Sequence, residues 1–224
     1  MPLAATALTP QQLARDDAHE PLFEVAFDGP RGVAVGDVGR LRVTEDGGTG
    51  WTDVPVPTRL ALLGVTISGE HAIAVGQMGT ILYRDANGRW VQAETDAPVR
   101  LFAVAVNADG IALAVGQFGT ILRSTDGGRQ WAPVEVSWDG MFEDPMQRLS
   151  FFEPNLFDVA LRDDGTAVIV GEVSLILRSE DAGRSFEAVH AGASTEEGMD
   201  PSLFSIDLRN DGVAYVVGQE GVLQ

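Results

Sequence analysis

One stretch of the sequence decides the fold: residues 101–131 read LFAVAVNADGIALAVGQFGTILRSTDGGRQW. It contains an alternating apolar run, a run of small apolar residues ending at Gly116, the segment 120–124, and Trp131. Turn-forming residues such as Asp109 and Gly110 separate these pieces. Period-two alternation interrupted by Asp-Gly and Gly residues is typical of short antiparallel strands joined by tight turns. The stretch therefore predicts four consecutive strands.

The same pattern occurs five times along the chain. The glycine that ends the second strand is Gly36, Gly76, Gly116, Gly171 or Gly218, at steps of 40, 40, 55 and 47 residues. Four short strands with this period are typical of a β-propeller blade. We therefore predict an all-β propeller with blades at 22–56, 59–94, 100–136 and 155–190 and a half-blade from 202. Strand one should line the channel, and strand four should be outermost.

The two ends of the chain depart from this pattern. Residues 1–21 form an N-terminal extension whose stretch 9–18 predicts a short helix, with Thr9 as N-cap and Pro10 as first helical residue. The region 22–224 is the propeller, and its last copy stops inside strand three. This favours about four and a half blades of a larger propeller. Because open sheet edges recruit other chains, the apolar edge at 213–217 and 222–223 predicts self-association.

A further motif occupies the turn between strands three and four. In four copies an Asp precedes an aromatic residue by five positions, and the pairs are Asp46 and Trp51, Asp85 and Trp90, Asp126 and Trp131, and Asp181 and Phe186. An Asp side chain can accept hydrogen bonds from the amides of its own turn, and glycine supplies positive φ. The motif predicts structural aspartates, with the aromatic residue anchoring strand four.

Together these motifs resemble the Asp-box (BNR) propellers of the photosystem II assembly factor family, over residues 22–224. The resemblance implies a seven-bladed propeller that acts in photosynthesis as a non-enzymatic scaffold for a protein client, a membrane-protein subunit or complex. It also implies export to a lumen or periplasm, although residues 1–17 show no signal-peptide pattern. Members of the family carry an arginine patch on one face, and Arg59 and Arg100 precede strand one of blades two and three.

The composition excludes several functional classes. The chain is acidic, with 33 acidic and 15 basic residues and a net charge of −18, which argues against nucleic acids and anionic membrane surfaces as partners. It contains no Lys and no Cys, so Schiff-base and thiol chemistry are excluded. His19, His71 and His190 lie far apart in the sequence. We therefore expect neither a metal site nor a cofactor.

A hydrolase is the alternative function, because Asp-box propellers include sialidases and other glycosidases. A sialidase needs a Tyr nucleophile, but Tyr83 and Tyr215 fall within predicted strands. Glycoside cleavage commonly needs two flanking carboxyl groups, and no acidic pair stands in an apolar setting in the sequence. We therefore expect a protein that is not an enzyme.

A polar residue follows the glycine that ends strand two in every copy. These residues are Asp37, Gln77, Gln117, Glu172 and Gln219, and the propeller geometry places them in a ring at one mouth of the channel. One interpretation is that they satisfy loop amides of adjacent blades, since turn amides need partners. The other is that they contact a partner or a cation.

An apolar insertion lies between blades three and four. Residues 136–154 contain Trp138, Met141, Phe142, Met146, Phe151 and Phe152, and a second long connection at 190–201 is acidic. Long connections in compact domains are commonly functional, and exposed aromatic residues indicate a protein-binding surface. We predict that the partner binds the face bearing this insertion, which is also the face of the polar ring. The alternative is that the insertion folds down and caps the blades.

Overall fold

The structure is a computed structural model, and it describes residues 21–145, 149, 152–209 and 211–221. Within them the chain forms five antiparallel sheets, blades one to five. Blade one holds β1 (Leu22–Asp28), β2 (Arg31–Gly36), β3 (Leu41–Thr44) and β4 (Thr52–Asp53); blade two holds β5 (Leu62–Ser68), β6 (His71–Gly76), β7 (Ile81–Arg84) and β8 (Trp90–Gln92). Blade three holds β9 (Leu101–Val106), β10 (Ala112–Gly116), β11 (Ile121–Ser124) and β12 (Ala132–Pro133). Blade four holds β13 (Leu156–Leu161), β14 (Ala167–Gly171), β15 (Ile176–Ser179) and β16 (Glu187–His190), and blade five holds β17 (Leu203–Leu208) and β18 (Ala214–Gly218).

Some expectations fall on other parts of the chain. The helix expected at 9–18, Met146, Phe151 and the last apolar residues, 222–223, lie outside the described residues. The helical segments in the described part are single 3₁₀ turns, such as Gln77–Gly79. None of the described helices has the length and hydrophobicity needed to cross a membrane.

The arrangement of the sheets confirms the all-β propeller. Blades one to four each have four strands paired in chain order, so each is a meander. The first strands of successive blades contact one another, β1 with β5, β5 with β9, β9 with β13 and β13 with β17. The first strands therefore form the inner wall of the channel, and the fourth strands are outermost, as expected for blades arranged around an axis.

The core lies between the blades, because each inner blade is covered on both faces. For example, Leu113 and Val115 of blade three pack in one cluster with Val159 and Ile169 of blade four. The second strands of blades three and four, β10 and β14, are buried along their whole length. Burial on both faces explains why these strands are continuous apolar runs without alternation.

The two outer faces of the row of blades differ from the inner ones. Val25 of blade one is 51% exposed, whereas its counterparts Val65 and Val104 are 3% and 7% exposed. At the other end, Tyr215 and Val217 of blade five are also exposed. These faces carry the apolar residues that every inner interface buries, and within the described residues no sheet covers them.

A close backbone approach explains the glycine that ends each second strand. A Cβ atom at Gly76 would stand 2.1 Å from the carbonyl oxygen of Ala61, the residue before strand one. At the equivalent glycines this distance lies between 2.1 and 2.5 Å. The backbone of Gly76 is extended, with φ −172°, so the requirement is steric and not conformational.

We predict that Gly76→Ala lowers the free energy of unfolding by more than about 2 kcal/mol, because a backbone carbonyl must move to admit the methyl group. Gly29→Ala is the control, since a Cβ there meets nothing within 4 Å and only its positive φ opposes the change. The control should cost about 1 kcal/mol. Urea unfolding measures both values, and equal losses would contradict the steric explanation.

We also predict that the chain self-associates through its two uncovered faces. Val25→Ser together with Tyr215→Ser should lower the association constant, because both changes remove apolar area from those faces. Val189→Ser is the control, since Val189 is equally exposed but lies on the outer strand β16. Sedimentation velocity across a concentration series measures association. A wild-type chain that stays monomeric throughout would refute the prediction.

Candidate interaction face

Each first strand begins with two consecutive apolar residues, and the second of them forms a β-bulge. In blade three, Leu101 pairs with Gly116 and Ala103 pairs with Val115, so Phe102 between them is left without a partner. The same register shift occurs in the other four blades. A bulged residue is released from the pairing and its side chain is redirected. In blades two to five the bulge therefore separates a buried leucine from a second apolar residue that keeps solvent contact, whereas Leu22 of blade one is itself exposed.

These second residues form an aromatic collar at the channel mouth, consisting of Phe23, Leu63, Phe102, Phe157 and Phe204. The ring centroids of Phe102 and Phe157 are 5.6 Å apart, and those of Phe157 and Phe204 are 5.3 Å apart. None of the five residues is buried. Because the inner strands begin where the second strands end, the collar lies on the face of the turns between strands two and three.

Two carboxylates stand directly after collar residues and reach the neighbouring blade. The Oε2 atom of Glu24 accepts a hydrogen bond of 2.8 Å from the backbone N–H of Val65. The Oδ2 atom of Asp158 accepts one of 2.9 Å from the N–H of Ile206 and another of 2.9 Å from the Ser205 hydroxyl. Both amides belong to inner strands, whose channel-side edge has no pairing strand. The carboxylates therefore satisfy edge amides that would otherwise need water.

The environment of these two groups raises their pKa values. Burial of the Glu24 carboxylate against blade two raises its pKa to about 7, the Val65 amide opposes the rise, and the negative charge of Asp158 adds to it. Glu24 as a whole residue nevertheless remains exposed. Burial also raises the pKa of Asp158, opposed by the Ile206 amide. Glu24 therefore exchanges its proton near neutral pH.

The turns between strands two and three present unusual tips. The middle residue of each turn is not glycine but has a left-handed backbone: Val38 (φ 55°), Met78 (φ 54°), Phe118 (φ 54°), Val173 (φ 55°) and Glu220 (φ 59°). This conformation costs a non-glycine residue roughly 1–2 kcal/mol. Val38, Met78 and Phe118 are 41%, 65% and 60% exposed, whereas Val173 is 2% exposed. We call the three exposed residues the turn tips.

Each polar-ring residue after Asp37 forms hydrogen bonds within its own blade. The side-chain Oε1 atom of Gln117 accepts a hydrogen bond of 3.1 Å from the backbone N–H of Arg100. The backbone N–H of Gln117 donates to the Arg100 carbonyl at 3.0 Å. Gln77, Glu172 and Gln219 bind Ala61, Asn155 and Ser202 in the same way. The expectation that these side chains satisfy amides of adjacent blades is therefore wrong. Each instead ties its turn to the start of strand one in the same blade.

Blade one shows why its ring residue differs. The residue before its first strand is Pro21, which has no N–H to donate. Asp37 still donates its backbone N–H to the Pro21 carbonyl at 3.0 Å, but its carboxylate accepts from the N–H of Val38 in its own turn at 2.8 Å. Asp37, whose side chain is shorter than that of Gln or Glu, therefore occupies the ring position at which the residue before strand one has no backbone N–H.

The described part of the insertion packs against the blades. Phe142 is 9% exposed and belongs to the core cluster between blades three and four, and Phe152 contacts it edge-to-face at 5.8 Å. Trp138 and Met141 are half-buried against the same cluster. The Trp138 indole lies over Gly119, where a Cβ atom would come within 2.6 Å of it. This position puts Trp138 beside the turn tip Phe118.

The second long connection covers the fourth turn. The N–H of Gly192 donates to the carbonyl of Val173 at 2.8 Å, and the N–H of Ser174 donates to the carbonyl of Pro201 at 2.8 Å. The two long connections also meet, since Glu143 and Ala193 form a parallel bridge. Together they bury the side chain of Val173, which is the counterpart of the exposed turn tips.

Arg59 and Arg100 are exposed at the rim of this face, each just before an inner strand. Their positions leave both guanidinium groups available to a partner. Asp96 is exposed on the same connection as Arg100, and Asp139 is exposed on the next connection along the chain.

The aspartates of the turn motif lie on the opposite face and bind their own turns. Asp46 accepts from the N–H of Gly50 at 2.9 Å, Asp85 from Arg89 at 2.8 Å, Asp126 from Gln130 at 3.0 Å and Asp181 from Ser185 at 3.0 Å. The indole N–H groups of Trp51 and Trp131 donate to the carbonyls of Gly48 and Gly128. Trp90 is buried, and Phe186 packs against the core cluster.

These aspartates are poorly suited to act as general acids. Burial would raise the pKa of Asp181, but hydrogen bonds from Ser185 and Ser179 outweigh it and hold the pKa at about 2. The same balance keeps the pKa of Asp126 below its ordinary value. Asp126 and Glu135 are the acidic residues lining a cleft of about 640 Å³ beside Arg123 and Trp131. Within the described residues no group of three potential metal ligands occurs.

Comparisons with known proteins identify a fold. No protein-family model matches the sequence, and no curated protein matches it. Among solved structures, the computationally designed Ika8 protein matches 97% of this chain with a TM-score of 0.68 and 14% identity, and U3-55K matches 91% with a TM-score of 0.63 and 10% identity. The chain spans 62% of the length of each. YCF48 bound to a D1 peptide matches 92% of both chains with a TM-score of 0.49 and 16% identity.

The polar ring leads to a prediction about stability. Gln117→Leu should lower the free energy of unfolding by about 1 kcal/mol, because the Arg100 amide loses its acceptor. Gln117→Glu is the matched control, since Glu172 makes the equivalent bond in blade four. Chemical denaturation should show the Glu variant within about 0.5 kcal/mol of the wild type. Equal losses for both variants would show that the hydrogen bond contributes nothing.

Proposed function

We propose that this chain is a non-enzymatic scaffold that binds a protein client on the face formed by the aromatic collar and the turn tips. One observation carries the proposal: Met78 and Phe118 expose apolar side chains from strained left-handed turns that neighbour each other along the face. Exposed apolar groups grouped beside polar ones are typical of a protein interaction surface. The sequence resemblance to photosystem II assembly factors supports a membrane-protein subunit as the client.

The fourth turn indicates how a client would cover the tips. Val173 has the same backbone as Met78 and Phe118 but is buried, because the chain's own 191–201 connection lies over it. That connection supplies a backbone N–H to the Val173 carbonyl at 2.8 Å. An irregular segment of a client could bind turns one to three in the same way, with main-chain hydrogen bonds and apolar contacts.

The insertion and the two arginines extend the proposed surface. Trp138 and Met141 keep part of their surface exposed next to Phe118, so we include them among the client contacts. Phe142 and Phe152 serve the packing of the insertion, and substituting them would test folding more than binding. Arg59 and Arg100 at the rim offer two positive charges on an otherwise acidic chain, suited to carboxylates of the client.

A glycosidase-like hydrolase is the second candidate, and Glu24 is the observation that favours it. A carboxyl group with a pKa of about 7 suits a general acid, and Asp158 interacts with it electrostatically. However, each carboxylate accepts hydrogen bonds from the next blade, which gives both a structural role. Hydrolysis of aryl glycosides by the wild-type chain, abolished by Glu24→Gln, would favour this candidate over the scaffold.

Replacing two apolar turn tips with serine tests whether this face binds the client. We predict that Met78→Ser with Phe118→Ser lowers client capture at least about tenfold, because central apolar anchors contribute about 2 kcal/mol or more to such interfaces. The assay is affinity purification of the tagged chain followed by quantitative mass spectrometry. Val189→Ser, an equally exposed residue on the outer strand β16, is the control and should retain every client.

The variants should remain folded, since both side chains are exposed and serine tolerates the turn. Unchanged circular dichroism and an unchanged unfolding midpoint would establish this. Recovery of the same proteins in the same amounts with wild type and double variant would refute the proposed surface.

A further inference from the structure

The inner wall of the channel has one sign of charge. The five inner strands contain four acidic residues, Glu24, Asp28, Asp158 and Asp207, and no basic residue. Asp28 is paired with Arg31 at 2.7 Å, away from the mouth. Glu24 and Asp158 directly follow the collar residues Phe23 and Phe157, so two carboxylates lie next to the aromatic collar.

We propose that the aromatic collar and the carboxylates of Glu24 and Asp158 form a binding site for a cationic side chain, an arginine or lysine, carried by an apolar segment of the protein client. This inference rests on the proposed function and names the chemistry that its partner would present. The client's apolar residues would contact the collar and the turn tips, and its cation would enter the mouth of the channel.

The collar suits a cation with an apolar stem. The faces of aromatic rings carry negative electrostatic potential and attract guanidinium and ammonium groups within about 6 Å of the ring centroid. The rings of Phe102 and Phe157 are tilted to each other by 48°, and those of Phe157 and Phe204 by 64°, so the three rings do not stack face to face. Arginine and lysine also have aliphatic stems that pack on apolar surfaces.

The two carboxylates would complete the site. They are contributed by blades one and four, and the charge of Asp158 raises the pKa of Glu24. At the equivalent positions of blades two and three stand Gly64 and Ala103, which bring no charge. A bound cation would relieve the repulsion between the two acids and form charge-assisted hydrogen bonds with them. A free metal ion is a poorer fit, because no three-ligand group occurs among the described residues.

Binding should depend on pH in a defined direction. The strands packed on β1 contribute no competing group, since β5 has no titratable residue and Arg31 of β2 is paired with Asp28. Asp158 is the charged residue whose negative charge raises the pKa of Glu24. Because the cation favours ionised Glu24, binding should release protons near pH 7 and become tighter as the pH rises from 6 to 8.

Two synthetic peptides test the site with the whole chain. The probes are acetyl-Leu-Ala-Arg-Ala-Leu-amide and the same peptide with norleucine in place of Arg, and isothermal titration calorimetry measures their affinities. We expect the Arg peptide to bind about tenfold more tightly, since hydrogen bonds to charged groups are worth about 1.5 kcal/mol or more. Glu24→Gln should remove most of this preference, and the preference should be larger at pH 8 than at pH 6.

Matched variants separate the site from general charge effects. Gln at position 24 can still accept the Val65 amide, so Glu24→Gln should fold normally. Glu45→Gln removes the same charge from an exposed turn on the opposite face and should leave the preference unchanged. Phe157→Leu should reduce the preference while keeping apolar contact with both peptides.

Three outcomes would overturn the inference: equal affinities for the two peptides, no binding of either, or the same effect from Glu45→Gln as from Glu24→Gln. The proposed function would survive them if the turn-tip variant still loses its client. Conversely, selective binding of the Arg peptide with no effect of the turn tips on client capture would support the cation site and refute the proposed client surface.

Discussion

A backbone carbonyl oxygen lies against the α-carbon of a glycine at the same place in all five blades, and the rest of the channel mouth depends on this approach. The oxygen belongs to the residue before strand one, and a Cβ atom would stand 2.1 to 2.5 Å from it. The contact brings the start of strand one to the end of strand two. The bulge lies just after this contact in strand one, and the turn between strands two and three begins just after the glycine.

This backbone closure frees the side chains of the mouth for interaction. The turn is held by main-chain hydrogen bonds to the residue before strand one, and in four blades by a Gln or Glu side chain as well. The side chain of the tip residue makes none of these hydrogen bonds, so it can vary. In blades one to three the tip is an exposed apolar residue. In blade four the tip is covered by the connection that follows the blade, and in blade five the tip is Glu220.

Several features of the site were visible in the sequence, and others were not. The polar ring was predicted by position, but its partners were assigned to the wrong blade, because a one-dimensional pattern does not tell which amide lies within reach of a glutamine. The collar was missed, although its signal is present: two consecutive apolar residues, such as Leu101 and Phe102, interrupt the alternation of every first strand and indicate a bulge. The packing of Phe142 into the core depends on where the insertion crosses blades three and four.

By itself the sequence determined the blade period, the order of four short strands and the turns between them, because each of these is a local property of alternation, glycine and Asp chemistry. Only the tertiary structure decided which apolar residues are exposed. Met78 and Val173 occupy equivalent turns, yet one is 65% exposed and the other 2%, since a distant connection covers only the second. Likewise, the negative charge of Asp158 in blade four acts on Glu24 in blade one, and this effect depends on how successive blades pack together and not on any local motif.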